Sequence, residues 1–264
     1  MSETPWSEFH RRWPKLKPPL RPNEEVVAAL RDAIAGGAER ALLLGLTPEL
    51  SEVAQETVAV DWSDKMLAMV WPGNTASRRA VQANWLQLPC KVGAFSAAIG
   101  DGSLNCLEYP RQYRLVFEEL SRALRPGARL AVRVFLTPDP CETLAQLQNA
   151  AMAGGTGVID ALKWRVAHAH CSERRDPNIA VRSIRDAFNA LFPDREELAR
   201  ACGWSMDHIE QIDAYANLPD VFSFPTGAQV LDTLPTRFAH ARFVSSGTYE
   251  LAERCPILTA ELRP

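Results

Sequence analysis

The sequence predicts an α/β protein whose mostly parallel sheet is covered by helices on both faces, and three observations carry that expectation. From Arg40 to Asp61 (RALLLGLTPELSEVAQETVAVD) the chain runs through a short apolar strand, a sharp turn, a helix and a second apolar strand. Apolar runs of strand length then alternate with helical stretches as far as Leu136, and strands buried on both faces read as such continuous runs. The second strand stops on Asp61, and a carboxylate there stands beside the tip of the first strand, where a nucleoside ribose can lie. The unit points to a nucleotide-like cofactor.

Each element has a local reason. The segment up to Pro22 carries Pro5, Pro14, Pro18, Pro19 and Pro22 with Trp6, Phe9 and Trp13, which favours a bent arm with one helical turn near Ser7 to Arg12. From Asn23, a capping residue, Val26, Val27, Leu30 and Ile34 recur at helical spacing, and Gly36-Gly37 end the helix. Leu42 to Leu44 form the first strand. Thr47-Pro48-Glu49 is read as a helix opening, with Thr as cap and Pro where no donor is needed. Thr57 to Val60 make the second strand, Ser63 opens a helix through Met69, and Ala80 to Ala83 and Phe95 to Ile99 are the third and fourth strands. Tyr113, Val116, Phe117, Leu120 and Leu124 then lie on one helical stripe that Arg125-Pro126-Gly127 stops, and Arg129 to Leu136 is the fifth strand. Helices are expected over 141–153, 158–170, 181–191 and 195–202, an extended segment over 207–212, and a last strand over 242–249.

The bulk properties narrow the function. The chain has 264 residues, formal charge -3 and no block of basic residues, so nothing marks a nucleic-acid partner. No apolar run reaches the roughly 20 residues that span a bilayer, and the charged, proline-broken start does not read as a signal peptide. Cys90, Cys106, Cys141, Cys171, Cys202 and Cys255 are widely spaced without a C-x-x-C pair, which fits free thiols in a cytoplasmic protein. His168-Ala169-His170-Cys171 is no metal motif, because helical ligands want three or four residues between positions. A single domain over 1–264 is expected, with an arm over 1–22 and a helical insertion over 137–203.

Five segments in order resemble the class I S-adenosylmethionine-dependent methyltransferases: ALLLGL, VAVDWSDKML, ANWLQLP, FSAAIGDGSLN and VFEELSRALRPGARLAVRVFL. The resemblance covers roughly residues 23–136. It implies a Rossmann-like seven-stranded sheet with an antiparallel last strand at its edge, S-adenosyl-L-methionine as cofactor, and methyl transfer to a small-molecule acceptor on the side of the helical insertion. One departure stands out. The family's first loop is rich in glycine, whereas here Gly45 is followed by Leu46-Thr47-Pro48-Glu49, so close backbone approach to the donor depends on Gly45 and the amides after it.

The resemblance also implies the site residues. Asp61 accepts from the ribose diol, or else caps the helix after it; Trp62, Ser63 and Met66 flank it. Gly45 and Thr47 face the donor's tail. Asn84 stands where the family often has an acid for the adenine amino group, and Trp85 can stack on the base. Gly100, Asp101 and Ser103, at the fourth strand's tip, lie above the methyl group. Methyl transfer asks mainly for alignment in a dry pocket; His10, Asp101 and His168 are the candidates should the acceptor need a base. Two other readings remain: a non-catalytic descendant that binds a cofactor-like ligand or a partner protein, and a nicotinamide-dependent oxidoreductase, which lacks its G-x-G-x-x-G here.

Overall fold

The computed structural model describes residues 13–34 and 38–264. Its main sheet has the order β3-β2-β1-β4-β5-β9-β8. Strands β1 (Arg40–Leu44), β2 (Glu56–Asp61), β3 (Arg78–Gln82), β4 (Phe95–Asp101) and β5 (Leu124–Arg133) are mutually parallel. Strand β9 (Ile257–Leu262) runs antiparallel between β5 and β8 (Phe238–Val244). The antiparallel last strand of the expectation is therefore present, but it is interior: the expected strand over 242–249 is β8, which begins earlier and forms the edge. Residues 257–262 (ILTAEL) add a strand that the sequence pattern did not announce.

Register brings the strand ends to one line. Leu44 pairs with Val60 and with Gly100, Asp61 pairs with Gln82, and Asp101 pairs with Arg133. Gly45, Asp61, Gly100, Asp101 and Arg133 consequently share one edge of the sheet, the edge at which α/β sheets bind ligands.

Helix α1 (Glu24–Ala33) starts on Asn23, whose side chain accepts from the Val26 N–H, and buries Val26 and Leu30 against Ala41, Leu43 and Ile99 on one face of the sheet. The glycines expected to stop it, Gly36 and Gly37, lie outside the described residues, as do Trp6, Phe9, His10 and the helical turn over 7–12. Helix α2 (Asp64–Met69) is capped by Ser63, whose hydroxyl accepts from Met66 N–H. Helix α3 (Arg111–Ala123) covers the opposite face, with Tyr113, Val116, Phe117 and Leu120 packed on Leu42, Leu44 and Leu130. The next strand begins directly at Leu124, so Arg125-Pro126-Gly127 lie within β5 instead of ending the helix, and β5 ends at Arg133, short of Leu136.

Between β1 and β2 the expected helix is a single 3-10 turn, Pro48–Leu50, and Thr47 makes no side-chain cap. With Pro48 inside the turn and Ser51 directly after it, few residues favour helix propagation before β2. Beyond β5 come α4 (Leu144–Met152), α5 (Ile159–Arg174), β6 (Asn178–Ala180), α6 (Val181–Leu191), α7 (Arg195–Cys202) and α8 (Met206–Ile209). The segment expected to be extended over 207–212 is helical: α8, which buries Ile209, runs into a 3-10 turn, Glu210–Tyr215, which buries Ile212 and Tyr215. This spacing of three suits a 3-10 turn and not a strand. Strand β7 (Val221–Ser223) pairs with β6, and α9 (Gly227–Leu231) leads to β8.

These helices have their own core, with Trp164, Phe188, Phe192 and Phe224 at its centre. That core docks on the functional edge of the main sheet. The Asn105 amide donates to Phe135 O at 2.8 Å and to Ser223 O at 2.7 Å, Phe135 packs on Trp164 with ring centroids 5.5 Å apart, and Thr137 donates to Phe224 O at 2.7 Å.

Phe117 is fully buried and meets Tyr113 and Phe238 edge to face. Phe117→Ala should lower unfolding free energy by about 3–5 kcal/mol, read as a lower midpoint in urea with an unchanged slope.

Candidate functional site

The site begins at the turn after β1. Gly45 has φ +97, its N–H donates to Val60 O at 2.9 Å, and a Cβ there would stand 3.8 Å from Trp85 Cζ2 and 4.0 Å from Asp61 Oδ2. The left-handed backbone favours glycine at this position. Any larger side chain would fill the cradle between Trp85 and Asp61.

Asp61 closes β2 and is 7 % exposed. Its Oδ1 accepts from Ser63 N–H at 2.8 Å, while Oδ2, on the Gly45 side, makes no hydrogen bond among the described residues. Asp61 does not cap α2, a role that Ser63 takes. Burial pushes its carboxyl up to about 6 against the backbone N–H groups of Ser63 and Trp62, which pull it down. A carboxylate with one oxygen fixed by the backbone and the other unbonded is ready to accept from a ligand's hydroxyls.

The flanking residues differ in what they present. Trp62 is 69 % exposed, and Met66 packs into the core beside α1. Trp85 turns its indole over the β1 and β2 tips and donates to Val60 O at 2.5 Å. Asn84 is exposed, and its side-chain oxygen accepts from Leu86 N–H at 2.9 Å, so it forms a turn and its oxygen already has a donor. Thr47 is buried.

At the β4 tip, Gly100 admits Ser103, whose Oγ would lie only 2.4 Å from a Cβ at position 100. Ser103 Oγ is buried and has no partner among the described residues. Asp101 and Arg133 form a bidentate ion pair, with Arg133 fully buried and the Asp101 side chain 3 % exposed. Burial pushes the Asp101 carboxyl up and the Arg133 charge draws it down; the two-point pairing keeps both groups charged. Arg133 also donates to Tyr249 Oη and to Pro19 O, each at 2.8 Å, so the arm is fastened across this edge.

The three candidates for a base fare differently. Both carboxylate oxygens of Asp101 are committed to Arg133, so neither is turned toward an acceptor. His168 is fully buried against Phe224, neither ring nitrogen has a partner among the described residues, and burial, then Arg254, lowers its pKa well below the ordinary range. It is a neutral core side chain in the insertion, sealed from solvent. His10 lies outside the described residues. Arg133 is a residue that sequence reasoning missed, although RLAVRVFL carries the signal: an arginine with three apolar residues on each side in a strand must find a buried partner. Glu49, expected only as part of a helix opening, accepts from Arg21 Nε at 2.6 Å and from Trp13 Nε1 at 3.4 Å.

Residues 44–132 match a family described as a methyltransferase domain. No curated protein matches the sequence. Among solved structures, the N-methyltransferase NodS of Bradyrhizobium japonicum WM9, in complex with S-adenosyl-L-homocysteine, has TM-score 0.54 at 11% identity, covering 99% of this chain and 100% of its own. The Burkholderia thailandensis 1,6-didemethyltoxoflavin-N1-methyltransferase has TM-score 0.51 at 14% identity, covering 98% and 87%. A Rhodobacter sphaeroides protein named for zinc-dependent alcohol dehydrogenases has TM-score 0.57 at 13% identity, covering 100% of both chains. At such identities the likeness is one of fold; the matched segment is what distinguishes the classes. Among the described residues no three His, Cys, Asp or Glu are grouped to hold a metal ion, and no helix is long and apolar enough to cross a membrane.

Residues 44–132 thus match a methyltransferase domain, and the seven-stranded sheet around them has the fold of the methyltransferase structures it resembles. Its first loop keeps a single glycine of the usual set, in line with the departure seen in the sequence.

Removing the cation from the buried pair should be costly. Arg133→Met leaves Asp101 buried without its partner and should destabilise by about 3–5 kcal/mol at pH 7.5. At pH 5 the loss should shrink, because the unpaired, buried carboxyl takes up a proton instead of carrying its charge; urea titrations at the two pH values measure both effects.

Proposed function

We propose that the protein transfers a methyl group from S-adenosylmethionine to a small-molecule acceptor held between the sheet edge and the helices of residues 144–202. The observation that carries this reading is the Asp61 carboxylate, one oxygen fixed by Ser63 and the other open toward Gly45. The residues fit the donor at three points: Asp61 for the ribose diol, the Gly45 cradle for close backbone approach, and the unpartnered hydroxyl of Ser103 above the strand tip next to it.

The donor supplies an activated methyl on a sulfonium. The protein's own work is alignment and exclusion of water. Gly100 and Ser103 shape the floor where donor and acceptor meet. Arg133, by holding Asp101, Tyr249 and Pro19 together, keeps the arm over that floor. Phe135 and Trp164 link it to the core of the insertion, which supports placing the acceptor on that side and favours an acceptor small enough to be enclosed. With Asp101 paired and His168 sealed, the reading relies on an acceptor that arrives with a free lone pair; His10 is then not needed. Soluble, cytoplasmic action without nucleic acid or membrane accords with the charge and composition.

Calorimetry with S-adenosylhomocysteine tests the donor site. Wild-type protein should bind it, and Asp61→Asn should weaken binding about 10- to 100-fold, the effect of a charge-assisted hydrogen bond. The affinity should also fall with pH. Asp61 is ionised above about 6, so lowering pH from 7.5 to 5 protonates the acceptor and should weaken binding about tenfold. No binding at millimolar ligand would leave a non-catalytic protein as the better reading. Release of S-adenosylhomocysteine from S-adenosylmethionine in the presence of small-molecule cell extract, and not in its absence, would establish turnover.

A further inference from the structure

We infer that Arg21 and Glu49 form a two-point receptor for the zwitterionic amino-acid end of the methyl donor, taking over the task of the missing glycines in the first loop. This receptor rests on the proposed donor site at Asp61. A sulfonium has three arms. With the nucleoside on Asp61 at the β2 tip and the methyl directed over the β4 tip, the third arm must leave past the β1 tip, where the first loop and the arm of residues 13–21 meet.

That loop has little backbone to offer. Pro48–Leu50 is one 3-10 turn, too short to present a helix amino terminus, and Pro48 lacks an N–H. Charge recognition therefore falls to side chains. Glu49 sits on this turn, close enough to the β4 tip for its charge to be felt at Asp101. Its Oε1 takes the Arg21 and Trp13 donors, whereas Oε2 is buried with no partner among the described residues. A buried carboxylate oxygen without a donor is costly, and an α-ammonium is the strongest donor the ligand could bring to it. Arg21 is one-third exposed. It spends Nε on Glu49 and Nη1 on Trp13 O and Pro14 O, which leaves Nη2 for the α-carboxylate. Seated this way, the ligand would add a second ion pair to the first and lock the arm on the loop.

Two ligands separate this role from mere fastening of the arm. S-adenosylhomocysteine carries the amino-acid tail; 5′-methylthioadenosine has the same nucleoside and sulfur without it. By calorimetry, Glu49→Gln and Arg21→Gln should each weaken S-adenosylhomocysteine about tenfold or more, and change 5′-methylthioadenosine less than about twofold. Equal losses for both ligands, or no loss for the first, would overturn the inference. Glu49→Asp, which keeps the charge, gives the same comparison should Glu49→Gln not fold: its tail-specific loss supports the receptor and an equal loss on both ligands refutes it. Wild-type protein that binds neither ligand refutes the donor reading itself, whereas wild-type protein that binds both equally tightly refutes only the receptor.

Discussion

The functional edge of this molecule is organised by one buried guanidinium. Arg133 lies opposite Asp101 in the parallel register of β4 and β5, and neighbours across a sheet face are the natural place for a charge pair. Because Arg133 is sealed from solvent, its donors must find protein acceptors. It finds them on three different segments: Asp101 on β4, Tyr249 ahead of β9, and the carbonyl of Pro19 in the arm. The rings of Phe135 and Tyr249 lie 5.3 Å and 5.6 Å from the guanidinium, adding cation–π attraction to the hydrogen bonds. A requirement of solvation thus becomes a statement of tertiary structure, since satisfying one cation fixes where three chain segments must lie.

Around that anchor the sheet does the spatial arithmetic. Parallel register sets Gly45, Asp61, Gly100 and Asp101 on one line; Gly100 admits a hydroxyl that a side chain there would meet, and Gly45 takes a left-handed turn. The polar groups along this line are in two conditions. Asp101 and Arg133 are occupied, with each other and, for Arg133, with Tyr249 and Pro19 as well, and serve architecture. Asp61, Ser103 and Glu49 each retain an oxygen without a partner among the described residues, and the proposed donor site rests on these atoms.

Much of this was legible in the sequence, and the exceptions have physical causes. Alternating strands and helices, the acid ending β2, the Ser63 and Asn23 caps and the helices over 144–202 came from periodicity and capping chemistry, which are local. The turn after β1 departs from expectation because Thr-Pro-Glu also opens true helices; whether a helix propagates is decided by the residues beyond Glu49, not by its opening. Ile257–Leu262 escapes a sequence reading since an alternating run of six residues near proline carries a weak signal, and its interior position depends on β5 and β8, far away in sequence. In the site, Asp61 could be located from its place in the βαβ pattern, and Gly45 from the family resemblance. The buried status of His168, the pairing of Asp101 and the reach of Arg21 to Glu49 all depend on contacts between distant segments, which no local pattern encodes.

The placement of β9 has a consequence for how the molecule is made. A chain leaving the ribosome presents β8 before β9, yet β8 touches the sheet only through β9. The edge strand must therefore wait, unpaired, for its successor, while the five parallel strands and the helical insertion, each with a core of its own, are already free to consolidate. The arm is bound by the same delay, for the Tyr249 hydroxyl that helps hold the Arg133 guanidinium emerges more than a hundred residues after it, just ahead of β9. Assembly of this sheet edge thus waits for β9, and a nascent chain carries Asp61 long before the surface around it can close.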